Sequence, residues 1–187
     1  MKTFDLDPDQ LLWAAFVSGD KSAFTDLYKQ HADNLFQYGL KLTSDVDLVK
    51  DNIQELFIEL WNTRHKKGNV TYIKTYLLKA LRYKLLKSLP KSNFQSLDEF
   101  SLGMIEQSIE AHIILKEINN QKVYELRSSI SQLPQRHQEI IHLKYYQGLS
   151  TEQISELLSI KKQSVSNLLL RAISNLRVKF QKKVAVK

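Results

Sequence analysis

A chain of 187 residues, 43% of them apolar, is long enough for one large or two small hydrophobic cores and too apolar for a disordered tail. It has no cysteine, which excludes a disulfide framework, thiolate metal sites and a cysteine nucleophile, and its 5 Gly and 3 Pro favour long helices over a turn-rich β fold. The net charge of +7 is unevenly spread: residues 1–61 hold 5 basic and 11 acidic side chains, 62–91 hold 9 and none, 92–134 hold 3 and 6, and 135–187 hold 10 and 3. Two basic blocks separated by an acidic one point to two nucleic-acid-facing surfaces in one chain.

Asp7-Pro8 reads as an N-cap and first helical residue, opening a short helix that Gly19 breaks after Ser18. A second helix is expected from Lys21 to Leu42, with Phe24, Leu27, Tyr28, Leu35 and Tyr38 at helical spacing. Thr43-Ser44-Asp45 caps a third helix running to Thr63, whose apolar face is Val46, Val49, Ile53, Leu56, Phe57 and Leu60. Opposite that stripe lie Asp51, Gln54, Glu55 and Ile58, a polar face with one apolar residue at its centre, the pattern of a small interface with a hydrophobic anchor and a charged rim. After a loop at Arg64–Asn69, a fourth helix spans Val70 to Ser88 and stops near Pro90. On it Tyr72, Thr75, Lys79, Arg82 and Tyr83 share a face, and aromatics among cations suit single-stranded nucleic acid.

Residues 89–104, rich in Ser, Asn, Gln and acid, read as a linker between two helical domains; about 16 residues reach roughly 50–55 Å when extended. A helix is expected over Ile105–Ser131 and another from Leu133-Pro134 to Gln147, closed by Gly148 as a left-handed cap. Ser150-x-x-Gln153 is a capping box for a short helix to Leu158, and a long helix follows from Lys162 to Lys182. A short helix, a three-residue turn and a long helix suit a helix-turn-helix, although a pair of amphipathic helices in an α-bundle gives the same pattern. In the long helix Val165, Leu168, Leu169, Ala172, Ile173 and Leu176 form the core stripe. The opposite face carries Gln163, Ser164, Ser166, Asn167, Leu170, Arg171 and Ser174, with Lys161 and Lys162 at the helix start. Gln and Asn can grip adenine, Arg can grip guanine or phosphate, and Lys beside a helix N-terminus suits phosphate.

Catalytic patterns are missing. Glycines at 19, 39, 68, 103 and 148 are too far apart for a phosphate-binding loop. Glu139-x-x-His142 is half of a di-iron motif without its second copy, and the five histidines form no i, i+4 pair. No enzyme activity, no metal, no cofactor and no small-molecule substrate are expected. No apolar run reaches ~18 residues, and the chain lacks the basic start of a secretion signal, so the expected location is the cytoplasm.

The segment Leu133–Ser150 (LPQRHQEIIHLKYYQGLS), with Glu152–Leu158 and Val165…Arg171-Ala172…Leu176-Arg177, resembles region 4 of the sigma factors of bacterial RNA polymerase. Ala23-Phe24-x-x-Leu27-Tyr28, Asp51–Phe57 with Leu60-Trp61, and Tyr76–Arg82 resemble sigma region 2. Order, spacing and length are similar to the extracytoplasmic-function (ECF) class, which keeps only these two regions. Tyr83 stands where the family often has Asn, Lys161 where Ser is common, and Ser166 and Leu168 where Lys and Arg are frequent.

The resemblance implies an all-α protein of two small domains: region 2 over residues 8–88, a flexible linker over 89–111, and a region 4 helix-turn-helix over 112–182. It implies binding to core RNA polymerase, through the β′ clamp helices and the β flap, and direction of the enzyme to promoters with help in melting them. Asp51, Gln54, Glu55 and Ile58 would meet polymerase. Arg64, Lys66, Lys67, Tyr72, Lys79, Arg82 and Tyr83 would meet −10 DNA, the loop at Asn62–Asn69 capturing a flipped base. Lys161, Lys162, Gln163, Ser164, Ser166, Asn167 and Arg171 would meet −35 DNA. Because ECF factors are often held by an anti-sigma factor, such a protein is a further partner the resemblance brings in. The other reading of the same residues is a helix-turn-helix regulator that acts without polymerase.

Overall fold

The computed structural model describes residues 8–89 and 120–185, with side chains over 8–89 and 123–178. The chain divides into two compact units between Leu89 and Pro90, and no strand occurs among the described residues.

The first unit holds α1 (Pro8–Val17), α2 (Lys21–Leu42), α3 (Val46–Asn62), a single 3-10 turn (Arg64–Lys66) and α4 (Ile73–Ser88). Gly19 has φ +98°, a left-handed backbone that lets the chain reverse between α1 and α2 at little cost. Asp20 then caps α2 by accepting from the Ser22 and Ala23 amides at 2.7 and 3.4 Å, and Asp45 caps α3 by accepting from Leu48 at 2.9 Å. Four apolar stripes converge: Trp13 and Phe16 from α1, Leu27, Leu35 and Tyr38 from α2, Val49, Leu56 and Phe57 from α3, and Leu77, Leu78, Leu81 and Leu85 from α4. At Gly39 a Cβ would stand 2.5 Å from Val49 Cγ1, so α2 and α3 touch through a bare backbone.

The second unit holds α5 (Asn120–Ser131), α6 (Gln135–Ile141) widening into a π turn (His142–Tyr146), α7 (Thr151–Leu158) and α8 (Lys162–Ala185). Its core is Leu133, Ile140, Ile141, Leu143, Leu149, Ile154, Leu157, Val165 and Ala172. The capping box at α7 is complete: the Gln153 amide donates to Ser150 Oγ at 3.2 Å and the Ser150 amide to Gln153 Oε1 at 2.7 Å. Gly148 is left-handed at φ +68°, as is Ser159 at +56°, where the turn into α8 is closed by Ser155 Oγ donating to Ile160 O at 2.6 Å.

Several boundaries differ from the sequence reading. The α4 helix starts at Ile73 and not at Val70, with Tyr72 left as its N-cap residue. Thr75, expected on the open face of α4, is buried, whereas Tyr28, expected on the apolar stripe of α2, is 46% exposed at the edge of the Phe57 ring. The helix expected as continuous to Gln147 changes pitch at His142, where the Gln147 amide reaches back five residues to the His142 carbonyl. Asp7 and the expected helix from Ile105 up to residue 119 lie outside the described residues.

Candidate binding surfaces

Three surfaces carry the residues singled out by sequence. On α3, Asp51, Gln54, Glu55 and Ile58 are all exposed, Ile58 at 52%, because the opposite side of the helix is consumed by the core. Lys84 of α4 joins this surface. Its Nζ lies 3.1 Å from Glu55 Oε2 and 2.7 Å from Glu59 Oε1. Desolvation works to lower the Lys84 ammonium, but its hydrogen bonds to Glu59 and Glu55 outweigh that and hold it above its ordinary value. Lys84 sits in the basic block, and no sequence pattern pairs it with carboxylates 25 and 29 residues earlier; only the packing of α3 on α4 does.

The second surface follows α4 and the loop before it. Lys79 and Tyr83 are exposed one turn apart, Tyr83 at 70%, with Tyr72 at 53% and Arg82 half-buried beside them. In the loop Lys66 is exposed, while Lys67 is half-buried with its Nζ 5.7 Å from the centre of the Tyr76 ring. Arg64 is turned inward: its guanidinium lies 4.2 Å over the Trp61 ring, and Nη1 donates to the Trp61 carbonyl at 2.7 Å. Trp13 Nε1 donates to Gly68 O at 3.0 Å, tying the loop to α1. The Trp13 anchor was not legible in the sequence, since it joins residues 55 apart, whereas the Arg64 anchor is local, reaching back three residues to Trp61, and no sequence pattern marks it.

The third surface is the N-terminal half of α8. Lys161, Lys162, Gln163, Asn167 and Arg171 are exposed, and Ser164 and Ser166 are half-buried. Gln163 Nε2 donates to Asn167 Oδ1 at 3.1 Å, so the two amides stand as one hydrogen-bonded pair on the outward face. Lys162 Nζ lies 3.1 Å from Glu152 Oε1, an exposed carboxylate in the first turn of α7. The Glu152 carboxyl is held below its ordinary value by its own backbone amide, by Lys162 and by Ser150. Sequence reasoning passed over Glu152; the only signal was its place in the first helix of the pair. Leu170 protrudes at 69% exposure next to Arg171.

The three surfaces carry exposed apolar side chains, cations, amides and aromatic faces. No group of three or more His, Asp or Glu among the described residues could hold a metal ion. No described helix is long and apolar enough to cross a membrane.

A family model described as Sigma-70, region 4 matches residues 124–176. The ECF RNA polymerase sigma factor SigL of Mycobacterium tuberculosis is 27% identical over 158 residues, which cover 83% of this chain and 87% of that protein. The ECF RNA polymerase sigma factor SigM of Bacillus subtilis is 21% identical over 164 residues, covering 85% and 96%. Among solved structures, CnrH in complex with the cytosolic domain of CnrY matches with a TM-score of 0.63 at 18% identity, over 94% of this chain and 99% of that one. The sigma factor RpoE in complex with the anti-sigma factor NepR from Bartonella quintana matches with a TM-score of 0.62 at 16% identity, over 84% and 96%. The structural likenesses establish the same helical fold.

Proposed function

We infer that this chain, an ECF-type RNA polymerase sigma factor, binds core RNA polymerase, directs it to promoters with −10 and −35 elements and assists their melting. The observation that carries this reading is the reach of the sigma-factor relatives, which align over 83% of the chain and so take in residues of both units. A regulator that shared only a helix-turn-helix would align over the second unit alone.

The first unit acts as region 2 over residues 8–88 and the second as region 4 over 112–182, with 89–111 joining them. The acid-rimmed face of α3 docks on the β′ clamp helices, with Ile58 as anchor and Asp51, Gln54 and Glu55 as rim. Exposed Tyr72, Lys79 and Tyr83, with Arg82, Lys66 and Lys67, support a surface for the melted −10 strand, because bases stack on aromatic faces while cations track phosphates. Gln163 and Asn167 read base edges of the −35 element from the major groove, Arg171 reaches base or backbone, and Ser164, Ser166, Lys161 and Lys162 position the helix. The protein works by binding, without catalysis, and in the cytoplasm, where its polymerase is. An anti-sigma factor is a partner of the same kind as the one in the RpoE complex.

The docking face is tested with the double variant Asp51→Arg, Gln54→Ala. Both positions are exposed, so the fold is expected to survive and affinity for core polymerase to be lost. Unchanged affinity in a folded double variant contradicts the assignment.

A further inference from the structure

The loop between α3 and α4 is held at three points by one aromatic cluster. Trp13, 2% exposed, packs against Phe16 at 5.2 Å and edge-on to Tyr76 at 5.6 Å, and its indole N–H binds Gly68 O at 3.0 Å. Tyr76 carries Lys67 over its ring. Trp61, packed on Phe24 at 5.1 Å, carries Arg64 over its ring and accepts from Arg64 Nη1 through its carbonyl. Arg64 also lies along the α1–α2 turn: a Cβ on Gly19 would meet its Nε at 3.5 Å. Thr63 closes the end of α3, its amide and hydroxyl both donating to Glu59 O at 2.9 and 2.7 Å. With its backbone tied down in this way, the loop still presents His65, Lys66, Asn69, Thr71 and Tyr72 to solvent.

We propose that Trp13 and Arg64 are positioning residues that hold this loop in its strand-binding shape before DNA arrives. The inference rests on the reading of the loop as part of the −10 surface. It reassigns Arg64, whose guanidinium is already engaged, from contacting DNA to shaping the loop that does. A loop ordered in advance loses less conformational freedom on binding, and the gain appears as affinity without any new contact. Neither residue needs to touch nucleic acid for this.

The conservative variants Trp13→Phe and Arg64→Lys separate the role from general packing. Trp13→Phe keeps an aromatic ring in the cluster and deletes the N–H donor; Arg64→Lys keeps the charge and deletes the planar fork. Two readouts are needed: hydrogen exchange of the loop amides in the full chain, and affinity of the holoenzyme for a single strand selected by the wild-type holoenzyme from a random pool. Each variant is expected to speed exchange at residues 64–69 and to weaken strand binding about tenfold, on the order of one hydrogen bond, with core-polymerase affinity unchanged. Unchanged loop exchange in both folded variants overturns the proposal, and so does faster exchange with unchanged strand affinity. Failure of the −10 reading shows separately, as a wild-type holoenzyme that selects no strand.

Discussion

At residue scale, the recognition end of α8 separates two kinds of contact. Gln163 and Asn167 are hydrogen-bonded to each other at 3.1 Å on the outward face, so in the proposed −35 reading they would meet DNA together. Asn167→Ala is expected to cost ~1–3 kcal/mol at one or two base pairs and to relax specificity there. Lys162 starts instead from an ion pair with Glu152, and a phosphate must compete with that carboxylate. Lys162→Ala is expected to weaken all duplexes alike and lower the salt slope by about one ion, while Glu152→Gln strengthens all duplexes alike. Both are read by titrating the full chain against a duplex library across a salt series. Loss of sequence preference in the Lys162 variant but not in the Asn167 variant means the helix faces the other way. His31 offers a prediction in the first unit. It is buried on α2, and its Nε2 has no hydrogen-bond partner. Desolvation lowers its pKa below 6.5, with Asp9 on α1 acting to raise it and Lys74 on α4 to lower it further. The unfolded chain therefore binds the proton more readily, so the stability present above pH 6.5 is lost as pH falls through 6.5 toward the folded value. His137 in the second unit is shifted the same way by burial, Arg171 and Arg136, so the probe must be local. Both tryptophans, Trp13 and Trp61, lie in the first unit, and their fluorescence under urea reports it. A His31→Leu variant is expected to flatten the pH dependence of that transition between pH 7 and 5; an unaltered slope removes His31 as its source.

At element scale, the Gly39–Val49 contact sets how closely α2 and α3 approach. Gly39→Ala is expected to destabilise the first unit by ~1–3 kcal/mol through overpacking, and Val49→Ala in the same chain to recover part of the loss, in a double-mutant cycle by urea unfolding. Additive losses at the two positions mean the helices do not meet there. The same scale shows what periodicity could reveal. The stripes of α3 and α8 were legible because one-sided burial imposes a 3.6-residue pattern: Ile53, Leu56, Phe57 and Leu60 are buried, and Val165 and Ala172 anchor α8. The caps at Asp45 and Ser150 were legible because capping is local in sequence. What the sequence hid depends on contacts between elements. Thr75 lies buried on α4 despite its place among exposed cations, and Lys84 pairs with α3. The π turn at His142 has no composition signal. Of the candidate site, the exposed faces were readable as departures from the stripe, whereas the inward turn of Arg64 was not.

At the scale of the whole molecule, the charge blocks match the order of surfaces along the chain. The acid-rich first 61 residues contribute the exposed α3 face, the acid-free block at 62–91 contributes the loop and α4, and the basic last block contributes α8. Segregating charge by element in this way keeps the two basic surfaces, which favour DNA electrostatically, apart from the acidic α3 face. Whether one chain joins polymerase to promoter is tested by run-off transcription with purified core polymerase. Templates selected by the second unit's duplex preference are transcribed with and without the protein, and with the Asp51→Arg, Gln54→Ala variant. Transcripts from defined starts are expected only with the wild-type protein, and are lost in the variant although its duplex binding is intact. Selected duplexes that are bound while core polymerase stays as inactive with the protein as without it would rule out a sigma-factor role and leave a DNA-binding regulator in its place.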